Sequence, residues 1–142
     1  MKGIKTLIKL KKRELDSKRK TLSELEIKLE NLHKVIEMLD EELKKEQEIA
    51  ATVFEASLTY NNYYIDNRQK KEIVNNEVTK VVRQIKILQE EIFIDFTELK
   101  KYDISLENQI NYAKEKQKSK DQQNLDELAI NNYLQKNDEN QD

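Results

Sequence analysis

Leu15-Asp16-Ser17-Lys18-Arg19-Lys20-Thr21-Leu22-Ser23-Glu24-Leu25-Glu26-Ile27-Lys28-Leu29-Glu30-Asn31-Leu32-His33-Lys34-Val35-Ile36 decides the fold of this chain. Its leucines and isoleucines recur every three and four residues, the spacing of one stripe along an α-helix. With Leu15 as an a position, the a series reads Ile8, Leu15, Leu22, Leu29, Ile36, Leu43, Ala50. The d series reads Ile4, Lys11, Lys18, Leu25, Leu32, Leu39, Glu46, Val53. The frame returns farther on, with Val78, Ile85, Ile92, Leu99, Leu106 and Ala113 at a. There, Val74, Val81, Leu88, Asp95, Tyr102 and Gln109 stand at d. Random sequence does not hold a seven-residue apolar repeat through two such segments.

The residues that interrupt helices are almost absent. The 142 residues contain no proline, and the only glycine is Gly3. Average usage would supply roughly ten glycines and seven prolines. Lys, Glu, Leu and Gln fill most outward positions and are good helix formers. Hydrophobic residues make up 37 % and charged residues 38 %, with a net charge of −2. Disorder usually goes with high net charge and no apolar period, so this composition reads as a coiled coil with a narrow seam. The fold class is all-α, a long antiparallel two-helix coiled-coil hairpin.

The place of the turn follows from the weakest part of the repeat. From Ser57 to Lys71 the seam positions are Ser57, Tyr60, Tyr64, Asn67 and Lys71. The run Tyr60-Asn61-Asn62-Tyr63-Tyr64-Ile65-Asp66-Asn67 adds β-prone aromatics to asparagines that compete for backbone hydrogen bonds. We therefore expect a hairpin over residues 1–120, with arms 4–56 and 68–120 and the turn within 56–67. Leu32 is then expected to pack near Ile92 or Phe96. One unbroken helix in a parallel dimer is the alternative, because Leu15 and Val78 share one frame. Pairing within a chain has a millimolar effective concentration, which favours the hairpin.

Beyond Ala113 the seam decays into Lys114-Glu115-Lys116-Gln117-Lys118-Ser119-Lys120. An apolar pattern returns at Leu125, Leu128, Ala129 and Tyr133, with Asp121 or Asn124 as N-cap candidates. Residues 121–142 thus read as a short amphipathic segment and a polar tail, which either extends the second arm or docks on a partner. Residues 1–20 carry nine Lys or Arg against Glu14 and Asp16. In a hairpin this stretch and the lysines of 114–120 are expected side by side, giving a positive end suited to an acidic protein surface. No nucleic-acid motif accompanies these cations, and aromatics for base stacking are missing near them.

Several function classes lose their chemistry at this level. Without cysteine there are no disulfides or thiolate metal sites. His33 is the only histidine and has no metal spacing around it, so it reads as a flanking residue of the seam. One glycine excludes phosphate-binding loops. No cofactor or metal and no enzymatic activity are expected. No apolar run approaches the roughly 20 residues of a membrane span. A cytoplasmic protein is expected, reaching at most the cytoplasmic face of the inner membrane. Tyr60, Tyr63 and Tyr64 cannot all be buried by a two-helix seam, which makes them a contact candidate at the tip. Phe93 and Phe96, within Ile92-Phe93-Ile94-Asp95-Phe96, broaden the stripe and read as extra core or a docking face.

Taken in order, the residues resemble the flagellar export protein FliJ family and the related stalk proteins of type III secretion. The resemblance rests on Leu7-Ile8-Lys9-Leu10-Lys11-Lys12-Arg13-Glu14-Leu15-Asp16, the mid-chain tyrosines and Phe96-Thr97-Glu98-Leu99-Lys100-Lys101-Tyr102. It closes with Gln122-Gln123-Asn124-Leu125-Asp126-Glu127-Leu128-Ala129. The resemblance implies a hairpin similar to the central stalk of rotary ATPases. It also implies that the termini insert into a hexameric export ATPase and that the hairpin meets the export gate and secretion chaperones. The basic residues Lys11, Lys12, Arg13, Lys18 and Arg19, with the segment Leu125, Asp126, Glu127, Leu128 and Ala129, would then face the ATPase. In that family the gate-contacting stretch follows the turn. Tyr63 or Tyr64 would match its aromatic, while Asn67, Lys70 and Lys71 occupy positions expected to be apolar. The alternative function is a structural coiled-coil homodimer acting as scaffold or spacer.

Overall fold

The computed structural model describes residues 2–141. Two helices account for them: α1, Lys2–Thr52, and α2, Phe54–Gln141. The chain divides into two compact units, Arg13–Phe96 and the pair Met1–Lys12 with Thr97–Asp142. In each unit the α1 and α2 portions pack against one another in antiparallel sense, so the fold is the all-α hairpin that the heptads predict.

The seam is the heptad stripe. Along α1 every a and d position from Ile4 to Ala50 is buried or half-buried, and along α2 the same holds from Asn67 to Leu106. In the unit Arg13–Phe96 the deepest apolar side chains are Leu15, Leu39 and Val81, the last only 1 % exposed. In the other unit they are Ile8 and Leu99. Each fully buried side chain of this kind contributes about 1.5–3 kcal/mol. His33 lies on the exposed side of α1, next to the seam residue Leu32.

Polar residues at seam positions are not defects. Lys18, at d of α1, donates from Nζ to Asp95 Oδ2 at 2.7 Å, and Asp95 is a buried d residue of α2. Glu91 lies 3.9 Å from the same ammonium. The hydrogen bond to Asp95, with the charges of Asp95, Glu91 and Glu14, raises the Lys18 pKa above the ordinary lysine value. Asn67 is 3 % exposed and donates from Nδ2 to the Leu39 carbonyl at 2.8 Å, whereas its Oδ1 meets no donor among the described residues. Lys71 pairs with Asp40, and Lys28 with Glu77 at 3.0 Å. In the other unit Lys11 pairs with Glu98 at 2.6 Å.

These pairs locate the turn, and they correct the expected position. The midpoint of every pair falls within a few residues of Val53, the one described residue outside both helices. Residues 56–67 are helical, so the turn does not lie there. The reversal is tight. Val53 N still bonds to the Ile49 carbonyl at 2.8 Å, and Ser57 N bonds to the Val53 carbonyl at 3.1 Å. The Thr52 hydroxyl donates to the same Ile49 carbonyl at 3.3 Å, a second bond on an acceptor that Val53 N already holds. Adjacent β-branched residues, Thr52 and Val53, weaken the helix at this point. No described residue takes a positive φ, which explains how the chain reverses without a glycine.

The register changes accordingly. Lys28–Glu77 puts Leu32 one helical turn from the pair and level with Val74, so the expected packing of Leu32 on Ile92 or Phe96 does not occur. Lys18–Asp95 instead sets that part of α2 against the start of the α1 portion in the unit. The tail differs in a second way. α2 runs through residues 121–139 without a break, so Asp121 and Asn124 are interior helical residues and not N-caps.

Candidate partner-binding surfaces

At the tip, within Arg13–Phe96, helical spacing puts Tyr60, Tyr63 and Tyr64 on neighbouring parts of α2. Tyr60 and Tyr64 stack at a tilt, with centroids 6.4 Å apart and planes at 38°. Tyr63 turns toward α1: desolvation and the carboxylates of Glu42 and Glu46 raise its hydroxyl pKa. Tyr60 and Tyr63 are half-buried and Tyr64 is exposed, so the three tyrosines do not form one open aromatic patch. The larger exposed apolar groups are Phe54, 77 % exposed, and Leu58, four residues on, with Ile49 and Val53 nearby in sequence. Sequence reading missed Phe54 because it comes to the tip only once the turn is at Val53, and missed Leu58, inside the expected turn, because the tyrosines beside it carry the stronger aromatic signal.

The five cations singled out from the sequence divide in two ways. Lys11 and Lys12 belong to one unit and Arg13, Lys18 and Arg19 to the other. Lys11 and Lys18 lie in the seam, held by Glu98 and by Asp95 with Glu91. Lys12, Arg13 and Arg19 are exposed. The heptad frame already carried this signal, since Lys11 and Lys18 are d residues while the other three are not.

The unit of Met1–Lys12 with Thr97–Asp142 contains the third surface. Counting along both helices from Lys11–Glu98, the first residue of α1 comes level with about residue 107 of α2. Past Ile110, every residue from 111 to 139 is exposed. Lysines 114, 116, 118 and 120 therefore lie beyond the start of α1 and are not beside its basic stretch, contrary to the expectation from sequence. Leu125 is 60 % exposed, and Leu128, Ala129 and Glu127 are exposed with it. Asp126 accepts from Gln122 Nε2 at 3.2 Å, and Asp121 from Gln117 Nε2 at 3.0 Å, local bonds that brace the helix. Tyr112, Ile130, Tyr133 and Leu134 are exposed on the same overhang.

Among the described residues no group of His, Cys, Asp or Glu could hold a metal ion. No described helix is long and apolar enough to cross a membrane. The chemistry on offer is contact chemistry: an apolar tip, exposed cations on α1 and an apolar-acidic helical overhang. The class the fold defines is that of antiparallel coiled-coil hairpins. The family is also defined. A model of the flagellar FliJ protein family matches residues 1–138, and the chain belongs to that family of flagellar export proteins. No curated protein and no solved structure matches the chain.

Proposed function

We propose that this chain is a stalk of the flagellar export apparatus, linking the hexameric export ATPase to the export gate on the cytoplasmic side of the inner membrane. The observation that carries the reading is the overhang of α2. A helix that continues for about 30 residues past its partner is marginal in water by itself and gains its stability from something it docks on. Leu125 and Leu128 supply the apolar contact to the ATPase, with Asp126, Glu127 and Ala129 around them. Lys12, Arg13 and Arg19 add electrostatic attraction, while Lys11 and Lys18 support the hairpin from within. In the unit Arg13–Phe96, Phe54, Leu58, Tyr60 and Tyr64 offer an apolar surface to the gate or to a secretion chaperone, with Tyr63 supporting it from the α1 side. The role is mechanical and non-catalytic, and calls for no cofactor.

The test is a pull-down with the export ATPase encoded beside this chain. Leu125→Asp with Leu128→Asp should abolish capture while leaving circular dichroism unchanged. Charge reversal at Lys12, Arg13 and Arg19 should slow association, and more so at low salt, because exposed charges are screened within about 8 Å at physiological ionic strength. Undiminished capture by both variants would remove the stalk from the account.

A further inference from the structure

The side of α2 turned away from the seam within Arg13–Phe96 is not uniformly polar. Ile87 and Ile94, seven residues apart, are 51 % and 55 % exposed, and Phe93 beside Ile94 is 70 % exposed. A shallow groove there is lined by Lys86, Gln89, Glu90, Phe93 and Ile94. About one and two turns before Lys86, on the same outward side, stand Arg83 and Lys80, and all three cations are exposed. None of these three cations is in a salt bridge among the described residues. Glu77, whose pKa Lys80 helps to lower, and Glu90 in the groove offset part of this charge, but the three cations outnumber them. An apolar ridge beside net positive charge fits a helix that is apolar and acidic.

This chain carries such a helix. Residues 121–142 hold six acidic residues against Lys136 alone, together with Leu125, Leu128, Tyr133 and Leu134. All four apolar residues are exposed. The seam is meanwhile filled within the chain, so association of two copies has only outward surfaces to use. We infer that the α2 face of Lys80, Arg83, Lys86, Ile87, Phe93 and Ile94 binds the acidic C-terminal helix of a second copy. Apolar burial of Ile87, Phe93 and Ile94 against Leu125, Leu128 and Tyr133 supplies the affinity. The cations and the acids of the tail supply orientation and rate. The contact withholds Leu125 and Leu128 from other partners; that consequence rests on the stalk reading, whereas the contact itself does not.

Complementation between two damaged full-length chains tests it, with no ATPase present. One variant loses the face, Ile87→Ser with Phe93→Ser; the other loses the tail, Leu125→Ser with Leu128→Ser. These residues are exposed, so both variants should keep the helicity of the unaltered chain. In sedimentation velocity the unaltered chain should associate with rising concentration, and each variant alone should do so at least about tenfold more weakly. Mixing the two restores one intact face and one intact tail, so association should reappear in the mixture and weaken as salt is raised. An unaltered chain that stays monomeric at every concentration overturns the inference. So does a variant that associates like the unaltered chain, or a mixture no better than its components. Because no ATPase takes part, such a failure leaves the stalk reading untouched.

Discussion

The seam of Arg13–Phe96 and the overhang of residues 111–139 are both helix, and both carry apolar residues at spacings of three and four. One has a partner and the other has none among the described residues. In the seam, leucines and valines alternate with polar residues that find each other: Lys18 with Asp95, Asn67 with the Leu39 carbonyl, Lys71 with Asp40. On the overhang the polar contacts are local, Gln117 to Asp121 and Gln122 to Asp126, four residues apart. The difference separates two questions. Helix formers and the lack of proline and glycine decide that the chain is helical; a complementary stripe on another helix decides whether that helix is stable.

Substitutions should widen or close this gap in a definite order. The largest effect belongs to Val81→Asp, which places a carboxylate at the most buried apolar position of the seam. It should cost roughly 4 kcal/mol and collapse the cooperative thermal transition followed by circular dichroism. Lys18→Met should cost about 2 kcal/mol in denaturant melts, because the buried Asp95 carboxylate loses its ammonium partner. The same pair gives a pH signature. The folded Lys18 pKa is raised, so its stabilisation is complete below the unfolded value of about 10.4 and is lost as pH rises through the folded one. Stability of the unaltered chain should fall in that alkaline window, and Lys18→Met should lack this component.

Asn67→Leu should have a smaller effect of opposite sign. The amide leaves Oδ1 unsatisfied in a buried d position, and leucine there removes that burden while adding apolar contact. A gain of about 1 kcal/mol in denaturant melts is expected. Leu125→Ala with Leu128→Ala should change melting least, by less than about 0.5 kcal/mol at a dilution where copies stay apart, since both side chains are exposed in the single chain. A larger loss would mean that the overhang is already covered in the free protein.

Much of this was legible in the sequence. The a and d residues of α1, and those of α2 from Val74 to Leu106, are the seam residues of the structure. The turn was not legible. Asn67 and the tyrosines look like a break when residues are read as separate propensities. Asn67 is instead helical and buried, because its amide reaches the Leu39 carbonyl across the seam, a contact 28 residues away in the chain. The true reversal, Ala51-Thr52-Val53-Phe54, has no glycine, proline or asparagine to mark it. A turn displaced to Val53 moves every cross-seam partner, which is why Leu32 meets the Val74 region and why 114–120 lies past the start of α1. For the candidate surfaces, Leu125 and Leu128 could be read as spare because the seam had already decayed. Phe54 could not be read before the turn was placed, whereas Leu58 stood inside the expected turn and was legible.

The central claim, a hairpin that reverses at Val53, is tested most directly by disulfide formation in two double variants at high dilution. Leu39→Cys with Asn67→Cys joins positions close enough across the seam for the short Asn67 side chain to reach the Leu39 backbone carbonyl at 2.8 Å. Leu32→Cys with Phe96→Cys joins positions that only a turn within 56–67 would bring together. The account predicts rapid oxidation within one chain for the first pair, at a rate independent of protein concentration, and none for the second. Rapid intrachain oxidation of the second pair, or crosslinks that form only between chains, would contradict it.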